Sequence, residues 1–509
     1  MQRSYVWSRI GKLLIIIGCS MLIPAAVGIY YHEDDYLVFL LTAAMVSAAG
    51  GALYFWLRPT RWQKHISLRE NYALVAYGWL VVTVVAMIPY LWTGTFHTVT
   101  DAFFETMSGL TTVGASVLDD IEGTAHCVLM WRSLTHWLGG MGIMVLFVAL
   151  LAGHGVGAMQ IFRAESSGPV KGKLRPKISE TARSLWCIYM VNTVIVIVLY
   201  LLAGLNLFDA LNHGFSVIST GGFSTKNASL GYYDSAVVDW VTVLAMFLAG
   251  VNYSLYFYAW RNKSLKCFLR SLEFRVYVCV ALFFTLAVVW FIAPEYGYHW
   301  LVALRYAAFQ VVSILSTTGF ITCDFEQWAM PAQMILMLLM LCGACAGSTT
   351  GGIKIDRHVI LAKKAVQEIR RFLHPRMVTR LKSNNQLLDD DVVLSVMTFF
   401  YIYLVLVLIA TYLVCLCGGE FLDSLTAVMS CLGGVGPAWG QWGPTESFSS
   451  APTLAKWILS FLMLIGRLEL YTVLVLFLPL PTKRQYQDET AVVETLEEDG
   501  FFEPMVREE

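Results

Sequence analysis

The sequence predicts an all-α membrane protein. Three features carry that prediction: scarce charge, ten apolar stretches of bilayer-crossing length, and a short Gly/Thr-rich turn that recurs four times. Only 14% of the 509 residues are charged and 57% are hydrophobic, with a mean hydropathy of +0.62. A soluble domain carries about 25% charged residues, so lipid is the solvent for most of this surface. The net charge of −1 gives no argument for a nucleic-acid partner.

A hydrocarbon core about 30 Å thick takes about 20 apolar residues in helical form. Such stretches are read at 10–29, 36–57, 71–92, 127–151, 183–205, 238–260, 275–293, 328–353, 391–417 and 453–480. Arg3, Arg9 and Lys12 lie before or at the start of the first, as in a signal peptide. No small-x-small cleavage site follows, so the stretch reads as a span. Basic residues collect after the second, fourth, sixth and eighth spans, as in Arg58 to Arg69, Arg163 to Arg183, Arg261 to Arg275 and Lys354 to Lys382. The opposite segments are nearly empty of them, with Lys226 and Arg305 as exceptions. The positive-inside rule then puts both termini in the cytoplasm. The outer segments are acidic, with Glu33, Asp34, Asp35, Asp119, Asp120, Glu122 and Glu446 among their residues. They would concentrate cations or simply be solvated. Asp101, Glu105, Glu420 and Asp423 read equally well as caps of short helices.

Eleven cysteines show neither a disulfide framework nor zinc spacing. The Cys342/Cys345 pair sits in an apolar stretch without a second pair and reads as buried thiols. A membrane-embedded enzyme would need a nucleophile and base, or paired acids, at one depth. His136, His154, His213 and His299 are scattered without a supporting motif, so no catalytic residue is assigned.

Four outer segments hold a semi-apolar stretch too short to span, ending in a turn. Asp101 to Leu110 leads into Thr111-Thr112-Val113-Gly114. Phe208 to Ile218 leads into Ser219-Thr220-Gly221-Gly222. Tyr306 to Leu315 leads into Ser316-Thr317-Thr318-Gly319, and Phe421 to Leu432 into Gly433-Gly434-Val435-Gly436. Aligned on Gly114, Gly222, Gly319 and Gly436, the copies are spaced 108, 97 and 117 residues apart, each between two spans. Non-helical backbone at membrane depth leaves N–H and C=O groups unpaired at several kcal/mol each unless protein or water satisfies them. Four copies imply a pseudo-fourfold axis. Their carbonyls would form a ring of oxygens able to replace a cation's hydration shell, and glycine supplies the left-handed dihedrals such a turn needs. The negative C-terminal ends of the short helices would favour the cation.

At these residues the chain resembles the Trk/Ktr/HKT superfamily of potassium transporters, most closely its bacterial TrkH branch. The resemblance covers about residues 1–480. It rests on TTVGAS at 111–116, WRSLTHWLGGMG at 131–142, STGGFST at 219–225, STTGF at 316–320, AGSTTGGIK at 346–354 and GRLEL at 466–470. It implies ten transmembrane helices in four M1–P–M2 repeats around a central pore, with an extra N-terminal helix pair. The expected division is a helix pair at 1–66, pore repeats at 67–160, 161–270, 271–382 and 383–481, and an acidic cytoplasmic tail at 482–509 that reads as disordered. The resemblance further implies potassium uptake across the inner membrane of a bacterium, with no cofactor beyond potassium ions in the pore. It implies a homodimer in membrane lipid and a TrkA-like cytosolic nucleotide-binding subunit, since this chain has no GxGxxG after a strand. The basic segment 354–382 is the expected docking surface, or a plain topology signal. The fourth turn, LGGVGPAWG, departs from the Asn-containing pattern of the branch. A sodium-permeable transporter is the alternative within transport. In plant relatives a serine at the first filter glycine relaxes selectivity, and Gly114 favours potassium. Proton coupling, hence symport, stays open, for no chain of buried Asp, Glu and His marks a relay.

Two further features concern passage below the turns. The eighth span is interrupted by Gly343 to Gly352, and Gly347, Ser348, Thr349, Thr350, Gly351 and Gly352 cannot make a stable helix interior at about 1 kcal/mol per glycine. This break is expected to be an intramembrane gate loop, with Lys354 as an anchor on its cytoplasmic side. Arg467 lies near the middle of the tenth span, where a charge costs about 2.5–3.5 kcal/mol unless it faces protein or water. It is expected to form a positive barrier beneath the filter. Arg132 and His136 are expected to play a structural part, Arg132 bonding to short-helix ends.

Overall fold

Helix packing begins with an N-terminal pair whose contact is made of small residues. Residues Arg3–Ser20 and Leu22–Tyr31 form one nearly continuous helix, and Tyr36–Trp56 returns antiparallel to it. A Cβ at Gly11 would stand 2.6 Å from the Gly50 carbonyl, and one at Gly50 would stand 2.6 Å from the Gly11 carbonyl. In lipid, where apolar burial gives helices no preference for each other, such close backbone approach supplies the attraction. The computed structural model describes residues 3–57, 68–142, 178–374, 381–383, 386–468 and 470–477. The acidic tail at 482–509 and the remainder of the fourth predicted span, 143–151, lie outside the described residues.

The pair is tied to the rest through a helix start. The segment between its two arms carries Glu33, whose carboxylate accepts the backbone N–H of His126 (2.6 Å) and of Cys127 (3.0 Å) and pairs with the His126 ring (2.7 Å). These are orphan donors of the helix His126–Gly140, and a carboxylate there complements the positive end of its dipole. Partial burial pushes the Glu33 carboxyl up, but these hydrogen bonds outweigh it and hold the group below the usual carboxylate range.

Four short helices follow the same plan. They are Val99–Thr111, Leu207–Ile218, Trp300–Leu315 and Phe421–Gly433. Thirteen residues reach about 20 Å, short of a bilayer core. The first two start on side-chain caps, Thr98 accepting from the Asp101 N–H at 3.1 Å and Asn206 from the Asp209 N–H at 2.7 Å. The first packs on Thr453–Leu468, the second on His126–Gly140 and the third on Ala236–Ala249, so three of the four rest on the helix that follows the turn of the preceding copy in cyclic order. One buried and one part-buried cation cross the same boundaries: Lys456 reaches Asp101 at 2.6 Å, and Arg305 reaches Asp239 at 3.1 Å.

Among the described residues, six helices are long and apolar enough to cross a bilayer, or seven if the bent pair Ala236–Ala249 and Tyr253–Asn262 counts as one. On Leu272–Ile292, Leu282, Phe283, Leu286 and Trp290 are 60–71% exposed along one stripe, which suits a face turned to lipid. Two predicted spans differ in shape. The sixth is not straight: it bends by 89° at Gly250–Asn252. The eighth is helical only over Met330–Leu339 and leaves the helix before Gly343. A two-residue antiparallel pairing of Lys382–Ser383 with Gln386–Leu387 departs from a wholly helical chain.

Replacing Glu33 by alanine exposes the start of His126–Gly140 and is expected to cost about 1 kcal/mol, as for other lost caps. Thermal unfolding in detergent measures it. Because the Glu33 carboxyl is lowered on folding, its contribution is complete above the ordinary carboxylate range and is lost as pH falls through the folded value. The difference between wild type and variant should shrink in acid.

Candidate functional site

The four turns meet in a closed ring. A Cβ built on Gly114 would stand 2.1 Å from the Gly221 carbonyl oxygen, and one on Gly222 would stand 2.2 Å from that of Thr318. From Gly319 the distance to the Val435 carbonyl is 2.0 Å, and from Gly436 it is 2.7 Å to that of Val113. Each glycine thus faces the carbonyl just before the next copy's glycine, and the fourth returns to the first. Any side chain here would strike that ring of oxygens. Each turn also has positive φ at two alternate positions: Thr112 and Gly114, Thr220 and Gly222, Thr317 and Gly319, Gly434 and Gly436. Three of these are threonines at φ 52–56°, a conformation costing about 1–3 kcal/mol for a non-glycine residue. The fourth turn has Gly434 there instead, which is where its sequence departs from the others.

Hydrogen bonds from the short helices hold the strained residues. Val113, Gly221, Thr318 and Val435 each donate their backbone N–H to a serine carbonyl five residues earlier, Ser108, Ser216, Ser313 and Ser430, at 2.8–3.0 Å. This serine occurs in all four copies. It was legible in the alignment on the ring glycines, six residues before each, and the sequence reading passed over it. Nine residues before the ring glycines stand Glu105, His213, Gln310 and Ala427. Glu105 accepts from Ser116 Oγ (3.0 Å) and the Val117 N–H (2.9 Å), while His213 Nε2 pairs with Ser224 Oγ at 2.9 Å. Gln310 donates to Thr322 Oγ1 at 3.3 Å. In the fourth copy Thr426, one place earlier than Ala427, accepts the Trp439 N–H at 3.1 Å. The segment leaving each turn is thereby fastened to its own short helix. Glu105 is therefore no helix cap; it is fully buried within its helix and paired with Arg132. Arg132, in turn, bonds to this carboxylate and to the segments leaving two turns, not to helix ends.

The interrupted eighth span lies against the other side of the ring. Its two arms run side by side: Gly343 N–H donates to the Ile353 carbonyl at 2.8 Å and Ile355 N–H to that of Ala344 at 3.1 Å. Gly347 (φ 70°) and Gly352 (φ 65°) turn the chain between them. The loop touches the second, third and fourth turns. Gly351 N–H donates to Thr317 Oγ1 (2.8 Å), Thr220 Oγ1 lies 3.4 Å from Thr349 Oγ1, and the Gly351 Cα is 3.6 Å from a Cβ built on Gly434. Arg467 completes the set. Its Nη1 donates to Thr112 Oγ1 (3.2 Å) and the Thr349 carbonyl (2.9 Å), and its Nη2 to the carbonyls of Gly139 (2.6 Å) and Gly140 (2.5 Å). Ser348 closes the loop by donating to the Cys345 carbonyl at 2.6 Å. Lys354 does not point away as an anchor; its buried ammonium turns back onto Thr350, donating to its carbonyl and, at 2.8 Å, to its hydroxyl. Glu469, two residues past the arginine, lies outside the described residues.

The bend in the sixth span finds its reason here. Cys345 N–H donates to the Gly250 carbonyl (3.0 Å), and Tyr253 N–H donates to the Gly347 carbonyl (3.0 Å). The broken helix and the loop satisfy each other's backbone groups, and Glu273 accepts the Ala346 N–H beside them.

A cavity of about 360 Å³ opens above the ring, lined by Gly114, Gly222, Gly319 and Gly436 together with Asp119 and Glu446 of the acidic loops. A smaller one, about 110 Å³, lies under the loop and is lined by Gly347, Gly352, Lys354, Arg467 and Tyr403. The predicted turn residues therefore lie in or beside the ring, and the predicted loop and Arg467 lie against it.

A multi-pass membrane protein with a central ring of glycine turns, cavities on both sides and a loop across one of them has the build of a transporter. Comparison with known proteins agrees. The family model described as TrkH, cation transport protein, matches residues 37–487. The Trk system potassium uptake protein TrkH of Escherichia coli (strain K12) is 37% identical over 478 residues, 92% of this chain and 97% of that protein. TrkH of Halomonas elongata is 35% identical, with the same coverage. The crystal structure of the potassium transporter TrkH from Vibrio parahaemolyticus superposes with a TM-score of 0.85 at 32% identity, covering 94% of this chain and 99% of that one. The chain belongs to the TrkH family.

Alanine at Gly222 or Gly319 would be driven into a carbonyl 2.0–2.2 Å away. Each is expected to lower stability by about 1–3 kcal/mol through overpacking. Alanine at Gly51, which has open space around it within a helix, should stabilise by up to about 1 kcal/mol. Thermal melting of the three purified variants distinguishes the two behaviours.

Proposed function

We propose that this protein takes up potassium ions across the inner membrane of a bacterium, down the electrochemical gradient and through the ring of turns. The observation that carries the reading is the closed sequence of glycine-to-carbonyl contacts running from copy one to copy four and back. Oxygens that surround an axis and cannot retreat are what a dehydrated cation requires. The backbone of Thr111, Thr112, Val113 and Gly114, of Thr220, Gly221 and Gly222, of Thr317, Thr318 and Gly319, and of Gly434, Val435 and Gly436 would supply its ligands. An inside-negative potential provides about 2.3 kcal/mol per charge per 100 mV. The potassium uptake names of the relatives support the same ion.

The loop 347–352 and Arg467 act as the gate in this reading. Arg467 places a positive charge within hydrogen-bond distance of Thr112, where a cation leaving the ring must pass. Opening would break its bonds to Thr112 and Thr349 and the bond from Gly351 to Thr317. The same reading takes the chain as ten transmembrane helices in four M1–P–M2 repeats, with both termini cytoplasmic, working as a homodimer. A cytosolic nucleotide-binding subunit would control the gate from the basic side, near 354–382.

The test is a bi-ionic reversal potential with potassium against sodium, together with rubidium uptake into liposomes holding only this protein. Potassium preference is expected; equal permeability would remove the reading. Serine at Gly114, forced against the Gly221 carbonyl at 2.1 Å, should raise relative sodium permeability severalfold in the same assay. Alanine at Arg467 is expected to raise cation leak by removing the charge and its hydrogen bonds. Replacing 347–350 with alanines should alter gating; a fall in flux for Arg467→Ala in folded protein would count against a barrier.

A further inference from the structure

We propose that Glu105 and Arg132 are positioning residues for cation discrimination, setting the spacing of the first two walls of the ring without touching the ion. The inference rests on the reading of the ring as a potassium filter.

Both side chains are buried, Glu105 at 0% and Arg132 at 1% exposure. Arg132 Nε and Nη2 each lie 2.7 Å from Glu105 Oε1, so two prongs of the guanidinium meet one carboxylate oxygen. The remaining capacity of both groups goes to the segments leaving the turns. Glu105 accepts from Ser116 Oγ and the Val117 N–H, two and three residues past Gly114. Arg132 donates to Ser116 Oγ at 3.0 Å and to the Ser224 carbonyl at 3.3 Å, two residues past Gly222. Its guanidinium also lies 4.1 Å from the centre of the Phe223 ring, and His136 stacks on that ring at 4.0 Å. Phe223 follows Gly222 directly. One ion pair therefore fixes the exits of two adjacent turns relative to each other.

Among the described residues, no ion pair takes this place in the other three copies. At the matching position the second copy has His213, the third Gln310 and the fourth Ala427, and the clamps there stay within one copy, as do those made by the carboxylates of Asp209 with Thr225 Oγ1 (2.6 Å) and of Asp423 with the Gln441 N–H (3.0 Å). Charge-assisted bonds between buried groups resist stretching more than neutral ones. Discrimination between cations of different radius depends on how far the oxygens can follow the smaller ion. The wall shared by copies one and two is thereby braced by an ion pair just past its ring glycines, and loosening it would let the ring contract around sodium.

The experiment is the bi-ionic potential on purified, reconstituted wild type, Glu105→Gln, Arg132→Lys and Ser116→Ala. Glu105→Gln is expected to raise the sodium-to-potassium permeability ratio at least threefold while potassium flux persists. Arg132→Lys keeps the charge but loses the two-pronged contact and should shift the ratio the same way. Ser116→Ala removes one small hydroxyl common to both partners, so it folds where a charge variant fails, and should shift the ratio by a smaller factor. Ratios equal to wild type in the folded variants would overturn the proposal. So would a shift in Glu105→Gln with none in Arg132→Lys, which would assign the effect to net charge near the entry. A wild type that does not prefer potassium would instead overturn the filter reading itself.

Discussion

Unsatisfied peptide groups away from water are the constraint from which the remaining structure follows. A chain that leaves the helix inside a membrane must find a partner for every N–H and C=O it releases. The first solution is at the turns, where serine carbonyls of the short helices take the N–H groups and the turn carbonyls stand against the ring glycines of the neighbouring copies. The second is at the loop and the bent helix, whose interruptions at Gly343–Gly352 and Gly250–Asn252 bond to each other. Neither interruption would be tolerable alone. Together they place non-helical backbone beneath the ring with its polar groups paired.

Strain and support are matched in the same way. Threonines at 112, 220 and 317 hold left-handed backbone that a β-branched residue avoids. Their hydroxyls are the groups that meet Arg467, Thr349 and Gly351. A residue with no hydroxyl relaxes the backbone at the fourth turn, and there the loop approaches by glycine alone. The pseudo-fourfold ring is thus unequal. The second and third walls offer a side-chain oxygen to the loop, the first offers one to Arg467, and the fourth offers only backbone.

Arginine at 467 draws these levels together. Its guanidinium meets four oxygens drawn from the first turn, the loop and the end of His126–Gly140. A fixed planar fork suits such a set, whereas a lysine ammonium would reach fewer of them in a defined direction. Carbonyls freed where Gly139 and Gly140 end their helix are among those four, so the charge replaces water at a helix terminus. The same side chain that would repel a cation also holds the loop in place.

Much of this was legible from residue order. Length and hydropathy predicted the membrane class, the internal period located Gly114, Gly222, Gly319 and Gly436, and the glycine cluster at 343–352 marked the interruption. These depend on local rules: how many apolar residues cross lipid, and which residues refuse a helix. Residue order did not show that Glu105 pairs with Arg132, that Lys354 turns inward, that the sixth span bends, or that threonine shares the left-handed positions with glycine. Each is settled by groups distant in the chain that reach one buried place, where the cost of an unpaired charge or N–H selects the partner. Only the folded arrangement brings those groups within hydrogen-bond distance.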